Sequence, residues 1–294
     1  MTDPTNLPKF SIVLPSHNTA DHLRETIESI LDQDYPDIEF IITDGGSTDG
    51  TLDILRGFGD RIKWVSSPDD GQSDAINKGF AMSTGALHYW ANADDPLEPN
   101  ALRHVAGLLT DLSAPQWMVG AARLIDGKGN EFGRRIVSKV DENSFLLWAV
   151  RWIPTQSVFW NRKMWEVAGP FDKDLHYVMD LGLWQRMYQT APAIITPKVL
   201  ASYRLHADSK SISGIEKSRD ERKLHLARII ARDMQTAQAS GEEALVELAD
   251  RYSNLIDELA DQAALVERLK QHRLAGPLMR YYQRKTAWFP KFDV

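Results

Sequence analysis

An α/β fold with a mixed central sheet and a helical C-terminal extension is predicted by three features of the 294-residue chain. Short apolar runs alternate with helix-periodic segments from Phe10 to about Asn92. After Asp95 that rhythm loosens into paired strands and short helices. Beyond about Ile215 the composition shifts to Glu, Arg, Ala and Leu with few breakers.

Phe10 to Pro15, Ile38 to Thr43, Ile62 to Val65 and Ala86 to Ala91 read as strands, with helices over His22 to Leu31, Leu52 to Phe58 and Ala75 to Met82 between them. Parallel neighbours need a crossover, usually a helix, so βαβαβαβ implies a Rossmann-like half with helices on both faces of the sheet. Next come a helix over Pro99 to Leu112, a strand over Trp117 to Ile125, a turn at Asp126-Gly127-Lys128-Gly129-Asn130 and a strand near Phe132 to Val137, where antiparallel pairing begins. Phe145 to Trp152 follows as a helix, Gln156 to Trp160 as a strand, Arg162 to Ala168 and Met179 to Tyr188 as helices, and Ala193 to Leu205 as a last extended stretch. Residues 1–98 and 99–214 thus form two halves of one domain, and residues 215–294 an extension.

In the extension two long helices are separated near Ser240-Gly241. Leu245, Leu248, Tyr252, Leu255, Leu259, Val266 and Leu269 follow 3-and-4 spacing, interrupted by Gln262, which is the seam of a short coiled coil. Such a seam either joins two copies as a homodimer or packs back on the body. The tail places Arg268, Lys270, Arg273, Arg280, Arg284, Lys285 and Lys291 among Tyr281, Tyr282, Trp288 and Phe289, the pattern of a peripheral contact with anionic membrane surfaces. A solvated helix end with a few packed aromatics is the plainer alternative.

Composition narrows the classes. At 43% hydrophobic and 26% charged residues the chain supports a full core. A net charge of −7 argues against a nucleic-acid partner, which needs a clustered basic excess. The absence of cysteine excludes disulfides, thiolate catalysis and Cys-based zinc sites. Met1 to Lys9 lacks the pattern of a signal peptide, and no run approaches the ~18 apolar residues of a membrane span. The expected location is cytoplasmic, with peripheral attachment to the inner membrane face if the basic tail binds lipid.

Chemistry concentrates where strands run out. Thr43-Asp44-Gly45-Gly46-Ser47-Thr48-Asp49-Gly50 and Asn92-Ala93-Asp94-Asp95 both place carboxylates at carboxyl ends of strands, where ligands of open α/β sheets bind, so a divalent cation and a phosphate-bearing ligand are expected. The glycine-rich turn lacks the Gly-Lys-Ser/Thr ending of a P-loop. Two-metal phosphodiesterase chemistry would want more convergent acids and histidines.

With these stretches, Ser11 to Asn18, Asp70 to Gly79, Gln156 to Trp160, Met179 to Trp184 and Tyr203-Arg204-Leu205-His206 lie in an order and spacing that resembles family 2 glycosyltransferases of the GT-A fold over roughly Lys9 to Ser213. The resemblance implies an inverting, metal-dependent hexosyl transfer from a nucleotide-sugar, with UDP preferred, to a glycan or lipid-linked oligosaccharide in surface polysaccharide synthesis. Residues 1–98 would bind the nucleotide-sugar and residues 99–214 the acceptor. Asp95 and His206 would hold Mn²⁺ or Mg²⁺, an imidazole ligand favouring Mn²⁺. Asp94 would reach the ribose or the metal shell, with a helix-capping role at Pro96 as the plain alternative. Asp44 would accept from the uracil imide. Pro15, Ser16 and Asp74 would line the nucleotide cleft. Asp180 would be the base that deprotonates the acceptor, although Gly182 stands where the family often repeats an acid. Gln156 is expected near the donor sugar. Trp148 and Trp152 are the preferred stacking platforms, the other tryptophans belonging mostly to the core. Asp49 reads as structural; Arg204 and Lys210 could neutralise the diphosphate, with surface solvation as the plainer alternative. A non-catalytic nucleotide-sugar binder or scaffold of a polysaccharide assembly is the alternative reading.

Overall fold

The computed structural model describes residues 7–146, 152–206, 209–210, 214–241, 243–244 and 246–247. Trp148, the heptad seam from Leu245 to Leu269 and the basic aromatic tail lie outside the described residues. The chain divides into two compact units, residues 1–141 with 153–206, and residues 142–152 with 207–294.

The first unit carries β1 (Phe10–Ser16), α1 (Ala20–Leu31), β2 (Ile38–Asp44), α2 (Thr51–Phe58), β3 (Lys63–Ser66), α3 (Gln72–Ala81) and β4 (Leu87–Trp90). These are followed by α4 (Ala101–Ala106), β5 (Trp117–Asp126) and β6 (Glu131–Arg135). The second unit contributes α5 (Glu142–Leu146), after which the first resumes with β7 (Val158–Asn161), α6 (Arg162–Ala168), α7 (Met179–Thr190) and β8 (Ile194–Leu205).

One sheet of order β3-β2-β1-β4-β7-β5-β6, with β8 pairing β5, runs through both sequence halves. The first four strands are parallel, and β7 enters antiparallel to β4 and β5. Because β2 and β3 lie on one side of β1 and β4 on the other, connections leave β1 and β4 in opposite directions. Their carboxyl ends therefore flank a crevice, the topological switch point at which ligands of open α/β sheets bind.

β1 is buried on both faces, which explains its nearly unbroken apolar run. Phe10, Ile12 and Leu14 meet Leu23, Ile27 and Ile30 of α1 in the main core. On the other face Val13 packs against Gly79 of α3, where an added Cβ would come within 2.3 Å of Val13 Cγ1. Glu39 of β2 is a buried carboxylate. It accepts bonds from Ser11 Oγ (2.6 Å), Thr84 N (2.7 Å) and Lys63 Nζ (2.9 Å). Burial alone would raise its pKa, but these donors outweigh that and hold it at about 2.

α3 also grips the segment ahead of α7. The Asn77 amide donates to Phe171 O and accepts from Phe171 N, both at 2.9 Å. Ser73 Oγ donates to Leu175 O at 3.2 Å. A strand-like bond pair supplied by one side chain thus ties the sequence half carrying Asp44 to the half carrying Asp180.

Of the helix expected over Phe145 to Trp152 only the start falls in α5, residues 147–151 lying outside the described residues, and two further expectations differ in extent. The helix after Pro99 spans only Ala101–Ala106, because Gly107 follows and the chain turns. The strand expected from Gln156 begins at Val158, since Thr155–Ser157 form a 3₁₀ turn whose side chains bond to other elements. In the second unit, α8 (Ile215–Ser240) ends at Gly241, whose φ of +109° favours glycine. Among the described residues no helix is long and apolar enough to cross a membrane.

Candidate active site

Ser16, Asp44 and the Asn92–Asp95 segment follow from adjacent strands. At β2 the turn is built around the Asp44 carboxylate. Its Oδ2 accepts from Gly46 N (3.0 Å), Ser47 N (2.9 Å) and Ser66 Oγ (2.6 Å), while Oδ1 accepts from Ser47 Oγ. Asp44 thus organises its own turn, and Gly46, at φ +85°, supplies the left-handed residue. Asp49 is structural: its carboxylate accepts from Ala20 N at 3.1 Å, capping α1, and from Thr51 N at 2.9 Å in the first turn of α2. Pro15 and Ser16 are buried at the end of β1, with the Ser16 hydroxyl 2.8 Å from Thr19 Oγ1.

The two acids after β4 point into different surroundings. Asp95 is 1% exposed; Oδ1 accepts from Arg204 N at 2.7 Å, and Oδ2 from Asn92 Nδ2 at 2.8 Å and Gln156 Nε2 at 2.9 Å. Burial, then the charge of Asp94, raises its pKa well above the usual carboxylate range. Asp94 is the accessible acid: its side chain is 29% exposed and its Oδ2 lies 3.0 Å from His206 Nε2, on a ring 21% exposed. Asp95, expected at the metal, thus has both carboxylate oxygens engaged by protein donors, whereas Asp94, expected at the ribose or the metal shell, is the acid left accessible. The reason is the pairing of β8, which brings the Arg204 amide over Asp95 from 109 residues away. No helix starts at Pro96, so the capping alternative does not apply; Leu97 instead bridges to Ala201.

Arg204 is not a solvated surface cation. At 2% exposure, its Nε donates to Asp94 O at 3.0 Å and its Nη2 to Glu25 at 2.6 Å. It holds the Asp94 carbonyl and the Glu25 carboxylate with different arms of one planar guanidinium. His22 of α1 is the residue that sequence reasoning missed. Its ring centroid lies 5.1 Å from that of His206, and burial, then the positive charge of Arg204, lowers its pKa. The only signal was an imidazole in the first turn of the helix after β1.

Among the described residues no group of three or more His, Asp or Glu side chains converges as a closed metal cluster. The Asp94 carboxylate and the His206 imidazole are the oxygen and nitrogen donors there that could hold a divalent cation. Gln156, 5% exposed, keeps one further polar atom buried without a protein partner, its Oε1.

Asp180 lies in the first turn of α7, half-buried, with Oδ2 accepting from Thr155 Oγ1 at 2.7 Å and Oδ1 from Leu181 N at 2.7 Å. Thr155 and Gln156 are consecutive, so Asp180 and Asp95 are joined through one turn. Asp74 is engaged elsewhere: it pairs with Lys78 Nζ at 2.8 Å and Lys173 Nζ at 2.9 Å, and these bonds hold its pKa well below the usual range. It anchors α3 to the loop ahead of Asp180 and has no carboxylate oxygen left uncommitted toward a nucleotide. Trp152 belongs to the second unit. Trp90, Trp117, Trp160 and Trp184 are core residues, as expected.

A parallel nucleotide-type half, an antiparallel continuation and acids at the switch point define a GT-A class of fold. The family model for glycosyl transferase family 2 matches residues 11–170. An uncharacterized glycosyltransferase of Rickettsia prowazekii is 30% identical over 208 residues, 68% of this chain and 65% of its own length. A PGL/p-HBAD biosynthesis glycosyltransferase of Mycobacterium bovis is 30% identical over 204 residues, 67% of this chain and 77% of that protein. The chain spans only 36% of a second, Rickettsia felis relative. Among solved structures, S. aureus TarS 1-349 in complex with UDP superposes with a TM-score of 0.53 at 15% identity, covering 67% of this chain and 60% of that one. The mannosyltransferase PcManGT from Pyrobaculum calidifontis, in complex with GDP-Man and Mn²⁺, gives 0.57 at 18% identity over 97% and 86%. The chain belongs to glycosyl transferase family 2 and has the GT-A fold of these enzymes.

Proposed function

We propose that the protein transfers a hexosyl group from a nucleotide-sugar, with a UDP-sugar as the best fit, to a hydroxyl of a glycan or lipid-linked oligosaccharide, with inversion. The observation that carries this reading is the Asp94–His206 pair at the switch point, whose sequence neighbour Asp95 is joined to a further carboxylate, Asp180, through the turn at Thr155 and Gln156. A cleft acid beside an imidazole suits a diphosphate leaving group, and a separate acid suits proton removal.

Asp94 and His206 would hold a divalent cation, which when bound stabilises the charge that develops on the departing diphosphate. Asp180 takes the acceptor hydroxyl proton onto its carboxylate as the acceptor oxygen bonds to the anomeric carbon. The bond from that carbon to the diphosphate oxygen breaks on the opposite face, and its electron pair leaves with the nucleoside diphosphate. Asp44 stabilises the turn after β2, and a uracil imide would be a second donor to its Oδ1, which already accepts from Ser47 Oγ. Gln156 Oε1, buried without a protein donor, suits a sugar hydroxyl. Complexes of the two structural neighbours with UDP and with GDP-Man support a nucleotide-sugar donor class. The Mycobacterium relative's name supports a role in glycolipid or polysaccharide assembly.

Calorimetric titration of UDP, GDP and dTDP with and without Mn²⁺, on wild type and Asp94→Ala, tests the donor site. Manganese-dependent UDP binding lost in the variant is expected. Absence of binding to all three nucleotides would favour the scaffold alternative. Asp180→Asn should bind the nucleotide normally and lose sugar transfer.

A further inference from the structure

Three consecutive side chains in the 3₁₀ turn Thr155–Ser157 address three separate parts of the fold. Thr155 Oγ1 donates to Asp180 Oδ2 at 2.7 Å, Gln156 Nε2 to Asp95 Oδ2 at 2.9 Å, and Ser157 Oγ to Ala121 O of β5 at 2.8 Å. The turn is closed by Ser157 N to Pro154 O at 2.9 Å, and its centre is pinned by Tyr89 O–H to Gln156 O at 2.9 Å. Tyr89 and Ser157 are fully buried, so the turn rests on the sheet and not on solvent-facing loop.

A hydroxyl has one proton to give, and that of Thr155 goes to the carboxylate of Asp180. A donor of this kind favours the ionised form of an acid over its protonated form. It also fixes the rotation of the carboxylate, together with the Leu181 amide on the other oxygen. We propose that Thr155 is the positioning residue of the catalytic base, aiming the Asp180 carboxylate and holding it ionised, and that the turn sets its placement relative to the Asp94–Asp95 pair. The inference rests on the reading of Asp180 as the base.

Thr155→Val keeps the shape and removes the donor, whereas Thr155→Ser keeps the donor. The first readout is the carboxyl ¹³C titration of aspartate-labelled protein, with the Asp180 resonance identified by its loss in Asp180→Asn. The Asp180 midpoint should rise by about one pH unit in the valine variant and stay at the wild-type value in the serine variant. The second readout is Mn²⁺-dependent UDP release from UDP-N-acetylglucosamine. Thr155→Val should lower kcat about ten- to hundred-fold with donor KM unchanged and move the acidic limb of the pH profile upward, and Thr155→Ser should restore both. An unchanged Asp180 midpoint in the valine variant, or equal damage in both variants, overturns the proposal. If the valine variant does not fold, Thr155→Cys, similar in shape to Ser but a weak donor, is read in the same way. Full transfer by Asp180→Asn would instead remove the base reading itself, whatever Thr155 does to the titration.

Discussion

Exchanging Asp94 and Asp95 for alanine, one at a time, should separate binding from folding. Asp95→Ala removes the acceptor for Arg204 N and Gln156 Nε2, both enclosed, and for the half-buried Asn92 amide. Two buried donors left unsatisfied at about 1–3 kcal/mol each give about 2–6 kcal/mol. The carboxylate is itself costly to bury, as the direction of its pKa shows, so removing it returns part of this and the net loss falls in the lower half, about 2–4 kcal/mol. At roughly 2–4 °C per kcal/mol that lowers Tm by about 4–16 °C. Asp94→Ala breaks one contact between side chains 29% and 21% exposed, which contributes at most about 1 kcal/mol, or under about 4 °C. Differential scanning calorimetry paired with Mn²⁺-dependent UDP titration reads both effects. Asp94→Ala should melt near wild type and lose metal-dependent binding, whereas Asp95→Ala should melt early. The opposite pattern, a stable Asp95→Ala without metal-dependent binding and an Asp94→Ala that keeps it, would refute the reading of one acid as facing the ligand and the other as facing the protein.

Two further outcomes follow from the core. Glu39 has a folded pKa of about 2 against an ordinary 4.5, so it stabilises the protein above pH 4.5, and that contribution, at most about 3 kcal/mol, is lost as pH falls from 4.5 toward 2. Urea unfolding between pH 6 and 3 should show this acid slope in wild type and a flatter one in Glu39→Gln; parallel slopes would contradict it. Gly79→Ala brings a methyl within 2.3 Å of Val13 Cγ1, on a stiff β-branched side chain, so overpacking of about 1–3 kcal/mol should outweigh the helix-propensity gain of about 1 kcal/mol. A variant as stable as wild type in denaturant would show that α3 moves away from β1 at no cost.

The first seven elements were legible because their information is local. The apolar run of β1 and the spacing of Leu23, Ile27 and Ile30 on α1 follow from burial on one or both faces, which periodicity records directly. Gln156 misled the strand boundary because its side chain turns inward to Asp95, a long-range bond with no periodic signature. The different fates of Asp94 and Asp95 depend on an amide of β8, and the proximity of His22 to His206 depends on α1 and β8 meeting in space. Neither is written in the spacing around those residues. Arg204 was misread for the same reason: a long cation in a polar stretch looks solvated until the backbone carbonyl of Asp94 and the carboxylate of Glu25 are placed against it.

The double bond pair between Asn77 and Phe171 bears on how enzymes of this kind can be recombined. A hybrid that joins residues 1–98 of this chain to the later half of a relative would receive, ahead of its α7, a loop that was shaped to be held by another protein's α3. The seam that matters is thus not at residue 98, where the backbone is cut, but between Asn77 and Phe171, Ser73 and Leu175, and Tyr89 and Gln156, where no peptide bond crosses. Recombining halves within this architecture amounts to transplanting a matched pair of surfaces, and an N-terminal half exchanged without its counterpart at those positions would deliver Asp180 to the wrong place.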